Sequence, residues 1–384
     1  MRRRRPRAVL ALAALAALLA EQAGAQSIAP GPTCADRQTG VPAPRIAALR
    51  RGFNLTGWLD TKPGTKPDIA ALRALRSRGF THIRLPVKAE YYIPEFAGPE
   101  AVSGQLRALA AALDELLGLG FAVSLDMHPG EEIAKLRKED PKLAVATLDA
   151  LWRRLATRFA GTSPDRVFFE VLNEPETATD YAAALRFAAT VRAAAPSHTI
   201  ILGPPNYQRV EALEAVTPLP DRNIVYAIHV YDPMAFTHQG AEWEGPEEPR
   251  SLFRGVPFPS RPDHPAVRAL GTKLAATGHQ AAADALAEQM AEPWDEKRLD
   301  RIFARAEAWS LRAKAPVIVN EFGVLSWHAP PGDRARWLGA VRRSAEAHCI
   351  GWTHWDYADG FGFMRRKGGR ETPDPAILDA LVGP

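Results

Sequence analysis

Cysteine is scarce in this 384-residue chain: there are two, Cys34 and Cys349, near opposite ends. Two lone thiols without a C-x-x-C spacing cannot build a zinc site by themselves, and they admit at most one disulfide. Whether they form it depends on a Cα separation the sequence does not supply. The ten histidines include no H-x-H and no H-E-x-x-H string, so the tight ligand clusters of metal-dependent barrel hydrolases are missing. No internal repeat of fixed short period occurs. The unbroken apolar run from Ala8 to Ala20 is also too short for a bilayer-spanning helix, which needs roughly 20 residues.

That run is preceded by arginine at positions 2 to 5 and 7 and followed by Ala23-Gly24-Ala25 before Gln26. A charged start, a short apolar stretch and a small-residue cleavage site predict a signal peptide over residues 1–25 and a secreted or periplasmic product. Both the twin-arginine and the general export routes stay open. Removing the leader's five arginines and one glutamate from 48 basic and 44 acidic residues leaves 43 of each. The basic balance of the chain thus belongs to the leader. A near-neutral remainder without a basic stripe gives no footprint for nucleic acid or anionic lipid, and the expected partner is a neutral one, met by a monomer with no membrane anchor after cleavage.

Beyond a short N-terminal segment, residues 26–45, eight short β-rich runs appear: Gly52 to Leu55, His82 to Val87, Ala122 to Met127, Val167 to Leu172, Thr199 to Leu202, Ile224 to Val230, Pro316 to Asn320 and Ile350 to Trp355. Between most of them lie segments of helical periodicity, among them Asp68 to Arg78, Gln105 to Leu117, Leu143 to Phe159, Tyr181 to Ala194 and Leu299 to Ala313. Alternating strand and helix predicts a parallel sheet with crossover helices, and eight units predict a single (β/α)₈ TIM barrel over residues 46–384. An open doubly wound sheet is the structural alternative. The runs are mostly apolar without strict alternation, as expected of strands buried on both faces. A long proline-rich and then alanine-rich insertion, residues 233–293, follows the sixth strand, on the side where barrel enzymes build specificity.

Polar residues close these strands: Asn54 on the first, Arg84 on the second, His128 on the third, Asn173 and Glu174 on the fourth, His229 and Tyr231 on the sixth, Glu321 on the seventh and Trp355 on the eighth. Taken singly, His128 and Trp355 read as core packing and Glu174 before Pro175 as a loop cap. Gathered on one barrel rim, they read as an active site. Carboxylates on the fourth and seventh strands face each other across the mouth, as glycosidic bond cleavage requires. One donates a proton to the leaving oxygen while the other attacks the anomeric carbon, and about 5 to 5.5 Å between them gives retention. Glu174 is the expected acid/base, its pKa raised by the second carboxylate. Glu321 is the expected nucleophile, with Arg84 as its charge partner and Tyr231 as a hydrogen-bond donor. His229 and Tyr231, two apart, share a face. Trp355 offers a flat surface to a pyranose, and Asn173 can bond a sugar hydroxyl. Glu170 is expected inside the barrel as a structural group paired with His82 or Arg84.

The segments Arg51-Gly-Phe-Asn-Leu55, His82-Ile-Arg-Leu-Pro86, Phe169-Glu-Val-Leu-Asn-Glu-Pro175, Ile228-His-Val-Tyr231, Val319-Asn-Glu-Phe-Gly323 and Trp352-Thr-His-Trp355 together resemble glycoside hydrolase family 5, the cellulase family. The resemblance runs from about Arg51 to Tyr357. It implies a (β/α)₈ barrel with retaining chemistry, Glu174 as acid/base and Glu321 as nucleophile, a shell of Arg84, His128, Asn173, His229, Tyr231 and Trp355, and no metal or cofactor.

The expected activity is endo-β-1,4-glucanase, with β-mannanase or β-1,3-glucanase as alternatives within the family. From other classes, a metal-dependent barrel hydrolase and a non-catalytic sugar-binding barrel are the rivals. Trp243, Phe253, Phe258 and Trp294 in the insertion either wall off one end of the cleft or pack the insertion's own core.

Overall fold

The computed structural model describes Cys34 and residues 39–383 apart from 244, 246 and 247, so the expected leader lies outside the described residues. Eight parallel strands close into a barrel in chain order: β1 (Arg51–Asn54), β2 (His82–Lys88), β3 (Ala122–His128), β4 (Val167–Glu170), β5 (Thr199–Leu202), β6 (Ile224–Val230), β7 (Val317–Phe322) and β8 (Gly351–His354), with β8 pairing back onto β1. Each expected run forms a strand, and closure rules out the open sheet. The helices that follow the strands are α1 (Ile69–Ser77), α2 (Pro99–Gly118), α3 (Pro141–Phe159), α4 (Ala178–Ala194), α5 (Val210–Ala215), α6 (Glu296–Ala313), α7 (Pro331–Ala347) and α8 (Pro375–Val382). Their starts are written in the sequence. Asp68, Asp140, Asp295 and Asp374 accept backbone N–H bonds at α1, α3, α6 and α8, and Thr177 with Asp180 forms a reciprocal capping box at α4. These side chains satisfy amides that a first helical turn leaves unpaired.

The strands differ from the expectation of unalternating apolar runs. Along β3, Val123, Leu125 and Met127 join the core shared with the helices, while Ser124 and Asp126 bond partners on β2 inside the barrel. Polar residues survive there because they satisfy one another: His82 reaches Ser124 at 3.0 Å and Thr353 at 3.2 Å, below a second tier centred on Arg84. Around the outside of β1, Phe53 packs against Phe80, Phe121, Tyr357 and Phe363. Truncating such a buried ring to alanine costs about 3–5 kcal/mol.

Two local departures set up the site. Between β6 and β7 the register slips, so that Ile228 faces Val319 but the next residue, His229, faces Glu321. A bulge of this kind re-aims side chains. Here it lets consecutive residues Asn320 and Glu321 both serve the barrel interior. Strand β4 ends at Glu170, not at Leu172, and the chain then turns so that Glu174 takes a left-handed backbone (φ 43°). The alternation of positions 170, 172 and 174 onto one side therefore fails.

Cys34 and Cys349 are disulfide-bonded, with Cα atoms 5.4 Å apart. The insertion after β6 contains the helices Pro265–Ala276 and Gln280–Gln289. Phe253, Phe258 and Trp294 are buried in it, which corrects the idea of a cleft wall for these three, whereas Trp243 is exposed. Strands β9 (Met364–Lys367) and β10 (Arg370–Pro373) form a small hairpin after β8. No helix among the described residues is long and apolar enough to cross a membrane.

Candidate active site

Arg84 lies within β2 and is fully buried, one tier beneath the rim. Its guanidinium donates from Nε and Nη2 to the two oxygens of Glu170 at 2.7 and 2.8 Å, from Nη1 to Asn54 Oδ1 at 2.8 Å and Glu321 Oε1 at 2.6 Å, and from Nη2 to Asn173 Oδ1 at 2.7 Å. Asp126 adds a further contact at 3.1 Å. One cation thus faces three buried carboxylates. Arginine fits because its planar fork offers five donors and stays charged.

The neighbouring pKa values follow from this crowding. Burial pushes Glu170 up despite Arg84, and the adjacent Asp126 and Glu321 push the same way. At Asp126 burial also opposes the charge, but Arg84 and the hydrogen bond from His128 outweigh it and hold the carboxyl below its ordinary value. Glu170 is therefore the structural partner of Arg84, as expected, with Asn320 Nδ2 donating to it at 2.7 Å, whereas His82 bonds elsewhere. Asn54 is also wholly buried; it donates to the carbonyls of Asn320 and His354 and orients Arg84, so it supports the site from below and does not meet the cleft.

Glu321 ends up held from two sides, by Arg84 and by the Tyr231 hydroxyl, which donates to Oε2 at 2.9 Å. Across the mouth, no arginine or lysine among the described residues forms an ion pair with Glu174. His229 Nδ1 lies 2.8 Å from its Oε1 and 3.5 Å from Glu321 Oε2. Ligand-type atoms of Glu174, His229 and Glu321 all fall within 4.8 Å of one another, a separation that suits direct attack with retention.

About a third of the Glu174 side chain remains open to the cleft, yet its carboxyl lies deep enough for burial to push its pKa up to about 7, against the lowering pull of His128 and Arg84. The largest cause is burial, with smaller contributions from the carboxylates of Asp126 and Glu176. Burial likewise pushes His229 down to about 4, so this imidazole is neutral at neutral pH. At His128 burial works against the charge, but bonding to Asp126 at 3.0 Å raises its pKa.

Asn173, His128 and Trp355 lie together beside the carboxylate pair. Asn173 bridges Arg84 and His128, its Nδ2 lying 3.4 Å from His128 Nε2. The His128 ring stacks on Trp355, centroids 5.9 Å apart. Gly323 makes room for this: a Cβ there would lie 2.1 Å from the Trp355 carbonyl oxygen. A cavity of about 640 Å³ opens beside Glu174, Asn173 and His128, with Ile133, Leu148, Leu172 and Phe187 among its walls.

Three participants were not singled out from sequence. Asp126 shares a strand face with His128, two residues on, and alternation was a usable signal. Asn320 was hidden by the bulge. Gln208 closes a turn in which Asn206, Tyr207 and Gln208 all adopt left-handed backbone (φ 59°, 56° and 57°). Its Oε1 accepts the Glu174 N–H at 2.9 Å and its Nε2 reaches Asn320 Oδ1 at 3.3 Å. No sequence signal marks that geometry.

A closed parallel barrel with paired carboxylates after β4 and on β7, one clamped by arginine and tyrosine and the other raised by burial, defines a glycoside hydrolase. Residues 47–358 match the family described as Cellulase (glycosyl hydrolase family 5), and the chain belongs to that family. It is 26% identical to Endoglucanase 3 of Fibrobacter succinogenes over 82% of its own length and 50% of that protein's. It is also 26% identical to Endoglucanase C of Acetivibrio thermocellus over 56% of this chain and 66% of that one. The chain thus spans between half and two thirds of these relatives. Among solved structures, Thermotoga maritima Cel5A in complex with cellobiose, a mutant form, superimposes with a TM-score of 0.72 at 26% identity, covering 89% of this chain and 99% of that one.

Proposed function

We propose that the chain is a retaining β-glycosidase that cleaves internal β-1,4-glucosidic bonds, with Glu174 as acid/base and Glu321 as nucleophile. The observation that carries this reading is the asymmetry of the pair: two carboxylates within 4.8 Å, of which Glu321 alone is bonded by a guanidinium. Arg84 and Tyr231 support an anionic attacker, while a Glu174 pKa of about 7 supports a proton donor at neutral pH. Attack by Glu321 on the anomeric carbon forms a glycosyl ester as Glu174 protonates the departing oxygen. Water, deprotonated by Glu174, then breaks that ester and restores both carboxyls. Trp355 and Asn173 are positioned to meet the sugar at the reacting centre.

The substrate reading rests on the relatives, several of them endoglucanases. β-Mannan is the second reading, because Thermotoga maritima Cel5A, similar to this chain at 26% identity, is also known in complex with mannotriose. A product profile on cellulose derivatives, β-mannan and mixed or β-1,3-linked glucan tests both: random internal cleavage of β-1,4-glucan with retained anomeric configuration is expected, and exclusive action on mannan would transfer the assignment. Activity abolished by a chelator and restored by zinc would instead favour a metal held by Glu174, His229 and Glu321. We also propose export of a monomer after cleavage near Ala25; the Cys34–Cys349 bond supports an oxidising compartment. Sequencing the N-terminus of the exported protein tests the cleavage site.

A further inference from the structure

We infer that the cavity beside Glu174 is a leaving-group site for apolar aglycones, so that the chain cleaves β-glycosides of alkyl alcohols as well as glucan. This inference extends the hydrolase reading above and rests on Glu174 as the proton donor. The cavity measures about 640 Å³, within the span of about 300–1,000 Å³ found for ligand pockets. Its walls come from the segments after β3 and β4 and from Tyr207 after β5; Glu174 is among them and Glu321 is not. In a displacement the nucleophile attacks from the face opposite the leaving oxygen, which departs beside the acid/base. The cavity therefore opens where the leaving group goes.

What it offers there is apolar. Ile133 on the helix Glu131–Glu139, Leu148 on α3, Leu172 after β4 and Phe187 on α4 line it, and all four are buried. The charged wall residues are already engaged: Arg137 donates to Glu176 at 2.7 Å and to Asp180 at 3.1 Å, and Arg186 donates to Asp149 at 3.1 Å. A sugar unit pressed against the four apolar side chains would leave hydroxyls without partners, which weakens binding. An alkyl chain has no such groups and gains about fourfold in affinity for each methylene it buries.

Contact with Glu174 supplies the chemistry. An alkoxide is a poor leaving group, so its departure needs a proton donor at the glycosidic oxygen. The bond from the anomeric carbon to that oxygen breaks as a Glu321 oxygen bonds the carbon, and the Glu174 proton passes to the departing oxygen, leaving a neutral alcohol in the cavity. Water, deprotonated by Glu174, then releases the sugar from Glu321 and restores both carboxyls.

Methyl and hexyl β-cellobioside separate apolar area from chemistry, because the two alcohols are nearly equal in acidity and the glycosyl-enzyme formed is the same. The expected kcat/KM is about thirtyfold higher for the hexyl glycoside, as when two to three of its five added methylenes are buried. Ala183→Phe on α4 and Ala134→Phe on the helix Glu131–Glu139 each fill the cavity and should erase that preference, while Ala183→Ser leaves the space open and should keep it. Equal kcat/KM for the two glycosides, a preference that survives both phenylalanine variants, or a chain that cuts glucan but neither glycoside would overturn the aglycone site and leave the hydrolase reading intact. Calorimetry on a Glu321→Gln chain reads binding without turnover, and the hexyl glycoside should bind more tightly than the methyl. A wild-type chain that cleaves neither glucan nor glycoside, while the Glu321→Gln chain keeps that preference, would sink the hydrolase reading and leave an apolar binding site standing.

Discussion

Arg84 Nη1 donates to Glu321 Oε1 at 2.6 Å while the same guanidinium also grips Glu170, Asn54 and Asn173. Arg84→Lys should therefore fail, because a lysine ammonium is a point donor that cannot reach all of these acceptors. Losing one charge-assisted bond to the attacking carboxylate is worth about 1.5–3 kcal/mol, which predicts a fall in kcat of about ten- to a hundredfold. Arg84→Ala should in addition lower stability by about 3–5 kcal/mol, since it strands three buried carboxylates. Steady-state kinetics and thermal unfolding on both variants check this; an unchanged kcat with altered KM would make Arg84 a substrate-binding group only.

The alkaline limb of the pH profile should report Glu174. As a general acid it must carry its proton, so kcat/KM should fall tenfold per unit as pH rises past about 7, the value to which burial pushes this carboxyl. The limb should disappear in Glu174→Ala assayed on an aryl β-glycoside with an acidic phenol, whose departure needs no proton. A limb that persists unchanged in that variant would assign it to another group.

Gln208 should matter although it touches no substrate atom. It is held against Gly203, where a Cβ would fall 2.3 Å from the Gln208 Cδ, and it carries the bond to the Glu174 amide. Gly203→Ala should push that side chain away and release the left-handed Glu174, lowering kcat about tenfold with the alkaline limb displaced, because Glu174 then sits in a different environment. Kinetics across pH, with thermal unfolding as a control for fold, measures the effect. An unaltered profile would show that Gln208 only fills space.

Much of this architecture is legible in the sequence. The eight strands are short apolar runs, seven of them ended by polar residues, five of the eight helix starts carry Asp or Thr caps, and Glu174 and Glu321 stand before Pro175 and before Phe322-Gly323 in recognisable surroundings. What stays hidden depends on backbone geometry that alternation cannot express. The bulge at His229 turns both Asn320 and Glu321 to use inside the barrel. The left-handed residues 206 to 208 bring Gln208 beneath Glu174. The aromatics of the insertion could not be sorted either, since Phe253, Phe258 and Trp294 differ from Trp243 in burial and not in chemistry.

The division of labour between Glu174 and Glu321 is the central claim, and azide rescue tests it most directly. Without Glu174, an aryl β-glycoside with an acidic phenol should still form the glycosyl-enzyme on Glu321, giving a burst of phenol and then slow release, because no base activates water. Azide needs no base, so adding it to Glu174→Ala should restore turnover and yield a β-glycosyl azide, two inversions retaining configuration. Glu321→Ala should show no burst and no β-azide. An α-glycosyl azide from Glu174→Ala, or a burst of phenol with β-azide from Glu321→Ala, would contradict the assignment.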